Sequence, residues 1–151
     1  GIMFKSVVAK LAPEPGAYSQ AIRIDVGTGS LIELSGQCGD IPGRFADYTV
    51  EGGVGPQTTQ ALLNIEAVIQ QAGADIRVTA NRDNITKVRV FIVDMENNKP
   101  AFEEAYRIFF ADREFMPFLP ARVFVEVVGI PLPGDPAVVE LEAQAYIPWR
   151  I

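Results

Sequence analysis

Apolar residues alternate with polar ones along some stretches of this chain and recur at helical spacing along others. In QAIRIDV (20–26), Ile22, Ile24 and Val26 share one side. GTGS (27–30) is turn chemistry and LIELSG (31–36) follows it, so the two runs are expected to pair as a hairpin. ITKVRVFIVDM (85–95) is the strongest strand, with Val88, Val90 and Ile92 on one face and Phe91 and Val93 on the other. Apolar groups on both faces predict a central place in a sheet. The strand at 121–128, within LPARVFVEVV, sends Val123, Val125 and Val127 one way and Arg122, Phe124 and Glu126 the other. The last strand, AVVELEAQAYI (137–147), sets Val139, Leu141, Ala143 and Ala145 against Glu140, Glu142, Gln144 and Tyr146. It is expected to form a hairpin with 121–128, and a further strand is expected near residues 4–9.

Two segments carry helical periodicity. From Pro56, which suits a first turn, Leu62, Ile65, Ile69 and Ala72 fall on one face, and Gly73 fits the position after the helix end. The second helix opens at ENNKP. Asn97 or Asn98 suits its cap, Pro100 its first turn, and Glu103 and Glu104 complement the dipole. Phe102, Tyr106, Phe109 and Phe110 form an aromatic stripe on it, expected to be core. Residues 38–56, rich in Gly and Pro, read as loop, as do 74–83, 115–120 and 129–136. The fold expected is α+β, a mixed sheet of about six strands with two helices on one face. Phe91 and Phe124 are then expected on the uncovered face, which predicts self-association through it.

Composition adds exclusions. The 151 residues, 48% hydrophobic and 21% charged, fit one domain spanning 1–151 with a genuine core. No apolar run approaches the ~20 residues a membrane span needs. The start, GIMFKSVVAK, has no long apolar stretch or small-residue cleavage site, so no signal peptide is expected. The expected location is cytoplasmic, with an organelle such as the mitochondrion left open. One cysteine, Cys38, precludes an internal disulfide. The absence of histidine removes Ser-His-Asp and Cys-His catalysis and imidazole metal sites. No metal constellation stands out. The net charge of −6, with scattered Lys and Arg, weighs against nucleic acid as a partner.

What remains for chemistry is carboxylate, guanidinium, phenol, hydroxyl, backbone amides and water. Arg122 has two readings. One is an ion pair with Glu126, Glu140 or Glu142. The other is a clamp on a ligand carboxylate, whose two oxygens match the planar guanidinium fork. Glu140 and Glu142 share a face of the last strand. Glu142 reads as solvated, and a glutamate here is the best available group to orient or deprotonate a water. LSGQCGD (34–40) ends a strand in glycine, which lets main chain approach a ligand, and GAYSQA (16–21) offers the phenol of Tyr18. Cys38 lacks a basic group nearby in sequence and reads as a small buried residue.

Together GAYSQA, LSGQ, ALLNIEAVIQQAGA, ITKVRVFIVDM, AYRIFF, PARVFVEV and VELEAQAYI resemble the RidA/YjgF/YER057c family, the reactive intermediate imine/enamine deaminases. The resemblance runs from about Ala12 to Ile147. It implies a chorismate mutase-like fold and a homotrimer with ligand sites in the clefts between subunits. The implied activity is hydrolysis of 2-imino acids and their enamine tautomers to 2-keto acids and ammonia, with no cofactor. The family's carboxylate-holding arginine falls on Arg122, its water-positioning glutamate on Glu140, its GPY tyrosine on Tyr18, and the Ser-Gly of its SGQ strand on Ser35 and Gly36. A frequent cysteine two residues after the arginine is Phe124 here, and a pocket asparagine on the second helix is replaced by Glu103. Binding of a keto-acid-like carboxylate without catalysis is the alternative expectation. The endoribonuclease activity sometimes ascribed to the family fits poorly with an acidic, histidine-free chain.

Overall fold

The alternating runs become strands and the periodic runs helices. The computed structural model describes residues 3–43, 49–113, 119–131 and 136–149. In chain order these form β1 (Met3–Val7), β2 (Ala21–Asp25), β3 (Gly29–Leu34), α1 (Val54–Asp75), a 3-10 turn (Arg82–Asn84), β4 (Ile85–Val93), α2 (Met95–Ala111), β5 (Ala121–Val127) and β6 (Val139–Pro148). The strands make one six-stranded sheet in the order β1-β2-β3-β6-β4-β5. Only β4 and β5 run parallel, joined by α2 as their crossover. The other neighbours are antiparallel. The β2–β3 hairpin closes as expected through Gly27, whose φ of 88° needs no Cβ, with the amide of Val26 donating to the Gly29 carbonyl. No helix among the described residues is long and apolar enough to cross a membrane.

One face of the sheet carries the core. Ile32, Val88, Val90, Ile92, Leu141 and Ile147 meet Leu62, Ile65 and Ile69 of α1 and Phe102 of α2, all fully buried. The aromatic stripe of α2 is core, as its spacing implies. Glu66 of α1 ties the helix layer to the 3-10 turn. It accepts from Arg82 Nε and Nη2 at 2.8 Å each, and Arg82 Nη1 donates to the Phe109 carbonyl. No element among the described residues covers the opposite face, which keeps Leu31, Val123 and Val125 exposed, with Phe91 half-buried among them.

Several expectations are corrected. The last two strands do not form a hairpin. β6 inserts between β3 and β4, and β5 is an edge strand on the far side of β4. Phe124 does not lie on the uncovered face. Its register partner is Val90 of the core face, and its ring meets Phe102 edge-on at 5.0 Å between centroids. α2 starts before the asparagines, at Met95, because Asp94 takes a left-handed conformation (φ 50°) that turns the chain directly out of β4. Asn97 and Asn98 bond backwards instead, to the Asp94 carboxylate and the Val93 carbonyl. Pro100 therefore sits inside the helix, on an exposed position. The 115–120 loop, apart from Leu119 and Pro120, lies outside the described residues, as do 132–135 of the 129–136 turn and 44–48 of the 38–56 loop.

Gly73 lies within α1 rather than after it, and the reason is a close approach. A Cβ there would collide with the Val78 carbonyl oxygen and stand 2.7 Å from the Ala80 Cβ. The Gly73 carbonyl accepts the amides of Ile76 and Val78, which folds the chain back on the helix end. Gly73→Ala is expected to destabilise by about 1–3 kcal/mol through overpacking, despite the ~1 kcal/mol that alanine gains in helix propensity. The shift of the urea unfolding midpoint checks this, and an unchanged or raised midpoint would refute it.

Candidate functional site

The residues singled out in the sequence fall into two groups. In the first, Arg122 projects from edge strand β5 onto the helix side, in register with Val88. Its Nη1 and Nη2 donate to Oε1 and Oε2 of Glu103 on α2 at 2.6 and 3.1 Å, a two-point ion pair. The guanidinium carbon lies 4.9 Å from the ring centre of Tyr106 and 5.3 Å from that of Phe124. The aromatic stripe thus builds the floor under the arginine. Beside it opens a concavity of about 480 Å³ lined by Glu104, Tyr106, Arg107, Leu119 and Pro120 as well as the pair itself. Burial pushes the Tyr106 phenol up to about 12, against the lowering pull of Arg122 and Arg113, so it is a neutral hydroxyl. Its Oη has no hydrogen-bond partner among the described residues.

None of the three glutamates expected to pair with Arg122 does so. Glu126 accepts the amide of Met95 and so caps the start of α2. Glu142 pairs with Arg89 across the uncovered face. Glu140, the register partner of Phe91, points to that same face and belongs to the second group.

That second group gathers where the chain leaves β3. Gln37 and Leu141 exchange both main-chain hydrogen bonds, at 2.7 and 2.8 Å, so residues 36–38 run alongside β6. This brings Gly36 against Glu140, where a Cβ would stand 2.9 Å from the carboxylate carbon. The Cys38 thiol donates to Glu140 Oε1 at 3.7 Å. Burial, then the Glu140 and Asp40 carboxylates, push that thiol far above its ordinary range, so it stays protonated. Ser35 Oγ donates to the Ser19 carbonyl at 2.6 Å and its amide to the Gln20 carbonyl. That contact fixes the segment carrying Tyr18, whose side chain is exposed. The chain does not bring Arg122 and Glu140 together. They project from opposite faces of the sheet, with β4 between their strands.

Two supporting residues had no part in the sequence reading. Asn64, buried on α1, donates from Nδ2 to the Cys38 and Asp40 carbonyls at 3.2 and 2.8 Å and so fixes the loop beside Glu140. Its signal is an amide between Leu62 and Ile65 of the apolar stripe. Gln20, also buried, binds both main-chain groups of Ala9 and the Pro13 carbonyl, which anchors the segment leading to Tyr18. No cluster of metal-ligating side chains occurs among the described residues.

The family model described as Endoribonuclease L-PSP matches residues 9–147. The chain belongs to that family, the RutC/RidA/YjgF group. It is 33% identical over 146 residues to a RutC family protein of Pyrococcus abyssi, covering 95% of this chain and 98% of the relative. A goat (Capra hircus) protein named 2-iminobutanoate/2-iminopropanoate deaminase is 33% identical over 137 residues, 91% of this chain and 85% of its own. Among solved structures, E. coli TdcF with bound serine superposes with a TM-score of 0.74 at 27% identity, covering 93% of this chain and 97% of that one. The expected α+β fold with two helices on a six-stranded mixed sheet is therefore the fold of the family.

Proposed function

We propose that this RutC/RidA/YjgF-family chain is a cofactor-independent deaminase that hydrolyses 2-imino acids and their enamine tautomers to 2-keto acids and ammonia. Water adds through its oxygen to C2 of the imine. The resulting carbinolamine then expels its nitrogen as ammonia and leaves the keto group. Arg122 binds the substrate carboxylate. Glu140 orients the water and takes up and returns its proton. The main chain at Ser35 and Gly36 holds the imine end, and Tyr18 and Phe124 bound the substrate laterally. With no histidine in the chain, proximity and a placed water carry the catalysis.

The observation that carries this reading is the apposition of Glu140 to the bare main chain of Gly36. The Glu140 carboxylate packs directly on that glycine, with no side chain between the two. The protonated Cys38 beside them is not a competing nucleophile. Relatives named as imine deaminases at about one-third identity point the same way. Because one chain separates Arg122 from Glu140, the proposal includes a homotrimer joined through the uncovered sheet face, with Arg122 of one subunit facing Glu140 of the partner subunit. The location proposed is the cytosol or mitochondrion.

The test is ammonia release from enzymatically generated 2-iminobutanoate or 2-aminoacrylate. Release well above the spontaneous rate, from a protein that sediments as a trimer, is the expected result, and release at the spontaneous rate would refute the activity. A second reading, carboxylate binding without turnover, is favoured by the internal occupation of Arg122 and by the bulk of Phe124. Binding of a keto acid with no acceleration of imine hydrolysis would establish it.

A further inference from the structure

We infer that Glu103 is a built-in competitor for the carboxylate site of Arg122, and that it sets how strong an acid anion must bind to occupy the site. This rests on the reading of Arg122 as the carboxylate-binding group. Both terminal nitrogens of the guanidinium are already committed to the two oxygens of Glu103, at 2.6 and 3.1 Å. That is the geometry a substrate carboxylate would adopt. A ligand therefore gains the fork only by displacing an anion that is tethered to the same chain and always present.

The displacement is feasible because Glu103 has somewhere to go. Its side chain is 42% exposed. Lys99 and Arg107 lie one turn before and one turn after it on α2, at the spacing where side chains on a helix meet. Glu103 also lines a second concavity, shared with Lys99 and Glu126 and not with Arg122. Swinging from one concavity to the other exchanges one exposed ion pair for another and frees the arginine. The floor of buried Tyr106 and half-buried Phe124 keeps the guanidinium in place while this happens. Glu103 thus discriminates among ligands. Those with a carboxylate and further contacts to the site displace it, and a bare carboxylate does not.

Titration of the assembled protein with 2-oxobutanoate, followed by calorimetry, tests this in wild type, Glu103→Gln, Glu104→Gln and Arg122→Ala. Glu103→Gln is expected to bind about fivefold tighter, the size of an exposed ion pair. Glu104→Gln removes the same charge from the same concavity without touching Arg122, and is expected to stay near wild type. Equal affinity in wild type and Glu103→Gln, with binding lost in Arg122→Ala, would overturn the competitor and leave the reading of Arg122 standing. Equal tightening in both glutamine variants would also overturn it, assigning the effect to net charge. Undiminished binding by Arg122→Ala, or no binding by any of the four proteins, would overturn both the competitor and the carboxylate role of Arg122.

Discussion

Arg122→Ala is expected to fold with nearly normal stability and to lose at least about a hundredfold in ammonia-releasing kcat/KM. The two halves of this expectation come from different observations. Arg122 stands on an edge strand with its side chain 26% exposed, and its partner Glu103 is 42% exposed. An ion pair in that setting contributes about 0–1 kcal/mol, and the ring contacts with Tyr106 and Phe124 add about as much again. The unfolding midpoint should therefore move only slightly. The clamp on a substrate carboxylate is a different quantity. Hydrogen bonds to charged groups contribute about 1.5–3 kcal/mol each, and the fork makes two. Displacing Glu103 takes back part of that, so the lower end of the range applies. Arg122→Lys keeps the charge without the fork and should fall between wild type and alanine. Thermal melts and kcat/KM measured side by side check the prediction. Activity within a fewfold of wild type would remove Arg122 from the mechanism.

Which parts of this molecule could be read from its sequence follows from the range of the interactions involved. The alternation of Val88, Val90 and Ile92, the stripe of Leu62, Ile65 and Ile69, and the hairpin at GTGS are local patterns, and each is realised where the pattern lies. The place of β6 between β3 and β4 is a pairing between residues about 47 to 119 positions apart, and nothing local encodes it. The face of Phe124 follows from another such pairing, that of β5 with β4. Alternation states that Arg122, Phe124 and Glu126 share a side, but on an edge strand only the neighbour decides which side is covered. The early start of α2 rests on one left-handed residue, Asp94, which no periodicity reveals.

The candidate site divides in the same way. Arg122, Glu140, Tyr18, Ser35 and Gly36 could be named because short motifs carry them. The apposition of Gly36 to Glu140 needed the crossing of β6 beside residues 36–38. The pairing of Arg122 with Glu103 needed α2 packed beside β5. A charge whose sequence neighbours offered Glu126, Glu140 and Glu142 took a fourth carboxylate instead. Each of the first three was already engaged elsewhere or faced the other way.

Phe102→Ala is expected to be the most destabilising single truncation near the site, at about 3–5 kcal/mol. Phe102 is the largest of the fully buried side chains. Its ring centroid lies 5.5 Å from that of Tyr106 and 5.0 Å from that of Phe124, the latter nearly perpendicular. Removing it opens a cavity between α2 and β5, where β4 lies on one side and no further strand among the described residues lies on the other. A domain of this size holds about 5–15 kcal/mol in total, so the variant should sit close to unfolding at physiological temperature. Phe102→Leu keeps most of the volume and should remain folded. It loses the edge-on contact that orients Phe124 and, through Phe124 and Tyr106, the floor beneath Arg122. The leucine variant should therefore show a raised KM with a smaller change in kcat, because Arg122 is held less firmly while Glu140 is untouched. Denaturant midpoints for both variants, with Michaelis parameters for the leucine variant, check the two halves. A loss below about 1 kcal/mol for the alanine variant would contradict the packing argument. A fall in kcat at constant KM would contradict the link from Phe102 to the carboxylate clamp.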